Sequence, residues 1–106
     1  MISNRDMFIQ GHGMVKHFAK TMMKGDDWNG HPFMESTRKR YGGIYSRLIG
    51  IRKDRKLLSI EINPEFRNIE VQFGLVERQL EQIRFPLWQL DKARKFLEDI
   101  VREWKN

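Results

Sequence analysis

The chain has 106 residues, a formal net charge of +6 and no cysteine. That length supports one domain with its own core, and the missing cysteines exclude a disulfide framework, thiolate chemistry and a Cys-type zinc site. The opening MISNRDMFIQGHG has no long apolar run and reads as neither signal peptide nor membrane span, so a soluble cytoplasmic protein without membrane contact is expected.

The positive charge is local. Residues 1–30 hold four cations and three anions, residues 31–56 eight cations and two anions, and residues 57–106 eight cations and nine anions. The middle block opens with Arg38-Lys39-Arg40 and closes with Arg52-Lys53-Asp54-Arg55-Lys56. A field concentrated in this way suits a polyanion, although a cationic hairpin tip also serves solubility.

Taken in order, the chain predicts a helix over 9–25. Met14, Val15, Phe18, Met22 and Met23 recur at helical spacing with Lys16, Lys20 and Lys24 opposite. Gly11 and Gly13 weaken its start, and Gly25 is a stop signal. Methionines in such a stripe fill a core or line an adaptable contact surface. Residues 26–43 read as a loop, with turn chemistry at Asn29-Gly30 and His31-Pro32 and with Trp28, Phe33 and Met34 pinning it to the body.

Residues 44–87 read as a meander of four short strands. Ile44, Tyr45, Leu48, Ile49 and Ile51 mark the first, and Leu58, Ile60 and Ile62 alternate with Ser59 and Glu61 in the second. Asn63-Pro64-Glu65-Phe66-Arg67-Asn68 is a turn. Ile69, Val71, Phe73 and Leu75 form the third strand, and Ile83, Phe85 and Leu87 face inward in the fourth, with Gln82 and Arg84 outward. A helix over 88–105 carries the stripe Leu90, Ala93, Leu97, Ile100, Val101 and Trp104. The expected fold is α+β: a four-stranded antiparallel meander with an N-terminal helix and an amphipathic C-terminal helix packed on one face.

The ββββα order over residues 44–104 resembles the PC4-like family of single-stranded DNA-binding coactivators, which has bacterial and phage relatives. Lys56-Leu57-Leu58-Ser59-Ile60-Glu61-Ile62 sits where that family has its second strand. The run Ile83-Arg84-Phe85-Pro86-Leu87-Trp88-Gln89-Leu90 resembles its passage from fourth strand to helix. The resemblance implies a homodimer packed through the C-terminal helix, with nucleic acid on the open sheet face. Here that face presents Tyr45, Arg47, Gln72 and Arg84, together with Glu61 and Glu70.

Three function classes remain open. The first is non-catalytic, largely sequence-independent binding of single-stranded nucleic acid, DNA favoured, without cofactor or metal. Arg38, Lys39, Arg40, Arg47, Arg52, Lys53, Arg55 and Lys56 would track phosphates, with Arg84 on the sheet face. Tyr41 and Tyr45 would stack on bases. The second is a small inhibitor or regulator, of the kind phages encode, that docks on a nucleic-acid-processing enzyme. Exposure of Trp28, Trp88 or Met22 would favour that reading, because aromatic and Met anchors dominate protein interfaces, and burial of all three would favour the first.

The third class is an enzyme such as a metal-dependent nuclease. His12, His17, Asp26, Asp27, His31 and Glu35 lie near one another in sequence, but their spacing fits no metal-ligand pattern. Gly43-Ile44-Tyr45 followed by Ile49-Gly50 superficially resembles the GIY-YIG nucleases. The gap is too short, however, and Leu48 stands where that family has tyrosine.

Overall fold

The computed structural model describes residues 4–38 and 44–105. Helix α1 (Asn4–Met22) is followed by strands β1 (Phe33–Arg38), β2 (Ile44–Ile51), β3 (Lys56–Asn63), β4 (Asn68–Leu75) and β5 (Glu81–Pro86). A 3-10 turn, Leu87–Gln89, leads into helix α2 (Leu90–Lys105). The strands form one antiparallel sheet in chain order, β1-β2-β3-β4-β5.

The sheet therefore has five strands where the sequence predicts four, and the additional one comes from the presumed loop 26–43. Phe33-Met34-Glu35-Ser36-Thr37-Arg38 shows no apolar alternation: Met34 packs against the core, and Ser36, the next residue on that side, is polar and exposed. Its partner β2 imposes the extended form, through the register Met34↔Leu48 and Glu35↔Arg47. The preceding segment also runs beside β2. Trp28 bridges Arg52, and the Asn29 amide donates to the Ile51 carbonyl at 2.9 Å. Of the three residues expected to pin this segment, Trp28 is buried and Met34 half-buried, whereas Phe33 is 62% exposed.

Helix α1 begins five residues earlier and ends three residues earlier than 9–25. Gly11 and Gly13 lie inside it and do not end it. A Cβ at Gly11 would come within 3.1 Å of Ile62 and 3.2 Å of Leu87, so glycine lets the helix sit close to β3. Tertiary packing offsets the roughly 1 kcal/mol that a helical glycine costs.

Both helices cover one face of the sheet. Phe8, Val15 and Phe18 from α1, with Met23 just beyond its end, meet Leu48, Leu58, Ile60 and Ile62; Ala93, Leu97, Ile100 and Val101 from α2 complete the core with Ile69, Val71 and Leu87. Phe96 joins the second group through Phe73 and Phe85, at ring-centroid distances of 5.6 and 5.5 Å. The three later strands and the C-terminal helical stripe thus pack as their periodicity demands, whereas β2 sends Leu48 into the core and leaves Tyr45, Ile49 and Ile51 on the open face. The apolar stripe of α2 is spent inside the single chain, so a dimer packed through this helix would have to use its exposed face, including Lys92, Lys95, Asp99 and Glu103.

Candidate binding surfaces

Three of the four cations in the β2–β3 turn are engaged with other groups of the fold. Arg52 is 6% exposed. Its Nε and Nη2 donate to Asp54 at 3.2 and 3.4 Å, and Nη2 also donates to the Trp104 carbonyl near the end of α2 at 3.3 Å. The guanidinium carbon lies 5.8 Å from the centroid of the Trp28 ring. Arg52 is therefore a staple joining the turn, the Trp28 segment and the last turn of α2, where a cation also suits the helix dipole. It is not presented to a phosphate.

The neighbours of Arg52 are similarly occupied. Lys56 pairs with Asp54 at 3.6 Å and stands over Trp104 at 5.9 Å. Arg55 pairs with Glu77 at 2.7 Å; such exposed pairs are worth little in stability, but the carboxylate still offsets the field. Lys53 alone in this turn has an exposed side chain outside any ion pair among the described residues. Charge counting in sequence could not separate these roles, because Trp28 and the Trp104 carbonyl against Arg52, and Glu77 against Arg55, come from distant segments.

The open sheet face is mixed in charge. Cross-strand register aligns Glu35, Arg47, Glu61, Glu70 and Arg84 across all five strands. Arg84 donates to Glu70 at 2.9 Å and Gln72 to the same carboxylate at 3.2 Å. Burial, then the charge of Glu61 and a hydrogen bond to it, raise the Tyr45 phenol above its ordinary value, against a smaller opposite effect of Arg47. Tyr45 is thus engaged with Glu61, and Arg47 sits between two carboxylates. Arg38 ends β1 opposite Ile44, while Lys39, Arg40 and Tyr41 lie outside the described residues.

Two of these carboxylates give the fold a pH dependence of known sign. Burial alone would raise the Asp54 carboxyl, but its hydrogen bonds and charge contacts with Arg52 and Lys56 hold it low. The Arg84 hydrogen bond, against an opposing burial effect, does the same for Glu70. Groups depressed in the folded state stabilise it above the unfolded carboxylate range, and that stability is lost as pH falls through their folded values. The urea midpoint should therefore hold near neutrality and decline below about pH 4. Asp54→Asn should flatten that decline in the same titration.

Apart from Phe33 on the open sheet face, the largest apolar exposure lies in two turns. Phe66, in the β3–β4 turn, is 70% exposed, and Trp88, in the turn between β5 and α2, is 66% exposed. The two turns are tied together: Asn68 pairs with Pro86, and the Leu87 amide donates to the Arg67 carbonyl at 2.8 Å. The Asn63 side chain accepts from the Glu65 amide at 3.0 Å and shapes the first turn. Arg67 between them holds φ at 49°, a left-handed conformation that costs a non-glycine residue about 1–2 kcal/mol. Two aromatic rings and an arginine thus project from adjoining, hydrogen-bonded turns at one end of the sheet.

Phe66 was missing from the sequence-derived candidates. The available signal was an aromatic residue in a turn otherwise built from Asn, Pro, Glu and Arg, where no core face could receive it. Of the three residues chosen to discriminate partners, Trp28 is buried, Met22 half-buried and Trp88 exposed.

Among the described residues no three His, Asp or Glu side chains gather as metal ligands. His12 Nδ1 lies 2.7 Å from Ser46 Oγ, and burial together with Lys16 lowers its pKa below 6.5. Ser46 is only 1% exposed, so this pair is a satisfied hydrogen bond beneath α1 with its hydroxyl out of reach of a substrate.

Comparison with family models, curated proteins and solved structures finds no match to this chain. Function must be argued from these surfaces.

Proposed function

We propose that the protein is a non-catalytic docking domain that binds a protein partner, as a small inhibitor or regulator of a nucleic-acid-processing enzyme would. The observation that carries this reading is the joint exposure of Trp88 and Phe66 on turns fixed by backbone hydrogen bonding. Rigid aromatic anchors beside an arginine lose little entropy on binding and dominate protein interfaces. The basic turn and the sheet face, which a phosphate backbone would need, are instead largely engaged with their own carboxylates.

The test is an affinity measurement with a partner first captured by cross-linking in an extract of the cell that makes the protein, then purified. Trp88→Ala should weaken that complex by about 2 kcal/mol or more, the hot-spot range, and Phe66→Ala should weaken it too. Unchanged affinity in both variants would place the interface elsewhere and remove the basis of this reading.

A second reading, single-stranded nucleic-acid binding, has one specific observation in its favour. The same two rings stand near Arg67, at the sheet end where β1 finishes with Arg38. Base stacking there at about 1–3 kcal/mol per ring would be physically reasonable.

A further inference from the structure

A groove of about 310 Å³ lies between the C-terminal half of α1 and the inner side of β1 and β2. Ala19, Met23, Pro32, Met34 and Leu48 give it an apolar lining. Lys16, Lys20 and Lys24 also line it, and no Asp or Glu does. All three lysines are exposed, and none is ion-paired among the described residues. Lys16 and Lys20 are one helical turn apart, about 6 Å along the rim. An apolar floor beneath unneutralised cations selects an occupant that is apolar and anionic at once.

The strand beside the groove adds a second constraint. β1 is an edge strand, hydrogen-bonded to β2 on one side and, among the described residues, to no strand on the other. Its FMEST portion lacks the lysine or proline that commonly blocks a sheet edge. Glu35 is aligned with Arg47 on the open face, away from the groove.

We infer that this edge and groove together take an extended acidic segment of the partner protein, added to β1 as a further strand. In such a segment residues two apart face the same side. A large apolar residue can then rest over Met34 and Leu48 while carboxylates two positions before and after it meet Lys16, Lys20 and Lys24. Main-chain hydrogen bonds to β1 supply affinity, and the groove and its lysines supply selectivity. The inference deepens the docking reading by giving the partner a chemistry. It concerns a different surface from Trp88, which lies in the turn between β5 and α2.

The probe is a fluorescein-labelled peptide with one leucine flanked two residues away on each side by glutamate, the other positions being Ser and Thr. Its anisotropy should report saturable binding at low salt, weakening as salt rises. Lys16→Glu with Lys20→Glu should reduce affinity by about tenfold or more, with an unchanged circular dichroism spectrum because both side chains are exposed. A probe N-methylated at alternate backbone nitrogens should also fail to bind. Trp88→Ala should leave binding intact, which separates this result from failure of the aromatic docking surface. No binding of the probe, equal binding by the double variant, or equal binding of the N-methylated probe would overturn the inference. Dodecanoate binding in place of the peptide would overturn it as well, assigning the groove to an anionic lipid.

Discussion

Arg52→Ala should destabilise the fold by about 2–3 kcal/mol, the range for hydrogen bonds made by a charged group plus lost packing. Lys53→Ala, one residue on, should change stability by less than about 0.5 kcal/mol. The contrast follows from placement. Arg52 holds Asp54, the Trp104 carbonyl and the Trp28 ring at once, whereas the Lys53 side chain stands in solvent. Truncation leaves Asp54 without its bidentate donor and frees the last turn of α2. One contact limits the effect: Arg52 Nη1 is buried without a hydrogen-bond partner among the described residues, so the guanidinium is not fully satisfied in the native state. Urea midpoints of the two variants, measured together, check this. Equal, small effects would show that Arg52 is an ordinary surface cation and return it to the set available for phosphate.

Gly50→Val should cost about 1–3 kcal/mol, and more if the Trp28 segment cannot shift. A Cβ at this position in β2 would overlap the end of the Met23 side chain and come within 3.1 Å of the Trp28 ring. Met23 can swing aside, because three soft torsions let methionine adapt. The indole cannot, since it is 3% exposed and lies against Arg52. Glycine here admits a large ring onto the strand. Gly50→Ala already sets its Cβ against the indole and should destabilise measurably, and Gly50→Val, with two further carbons, should be worse. Thermal unfolding of both variants checks the order, and equal midpoints would mean the ring is free to move.

The two variants also bear on what the sequence made legible. Alternation placed β3 to β5, and the helical stripe placed α2, because each of these elements buries its own apolar face; β2 was legible from its apolar content, although only Leu48 of its markers Tyr45, Leu48, Ile49 and Ile51 enters the core. β1 was not legible, since its pairing with β2 and not its composition makes it a strand. Nor was the start of α1, where two glycines reduce propensity while one of them permits the close approach to Ile62 and Leu87.

The candidate site was less legible than the fold. A run of cations looks uniform in sequence, yet Arg52 is committed to a carbonyl 52 residues away and Arg55 to a carboxylate 22 residues away. Local charge density therefore overstated the available field. In sequence Trp88 stood beside Trp28 and Met22 as an equal discriminator, and only the fold separates the exposed ring from the buried one. The coupling of Trp88 to Phe66 required the hydrogen-bonded turns that only the folded chain provides.

The most direct measurement is fluorescence anisotropy of a labelled single-stranded oligonucleotide over a salt series, with the wild-type protein beside Trp88→Ala and Phe66→Ala. A docking domain with net charge +6 should show only weak, salt-labile binding, no tighter than about 100 µM at physiological salt and the same in all three proteins. Micromolar binding that persists at that salt and falls when either ring is removed would contradict the docking reading and assign the aromatic end of the sheet to single-stranded nucleic acid.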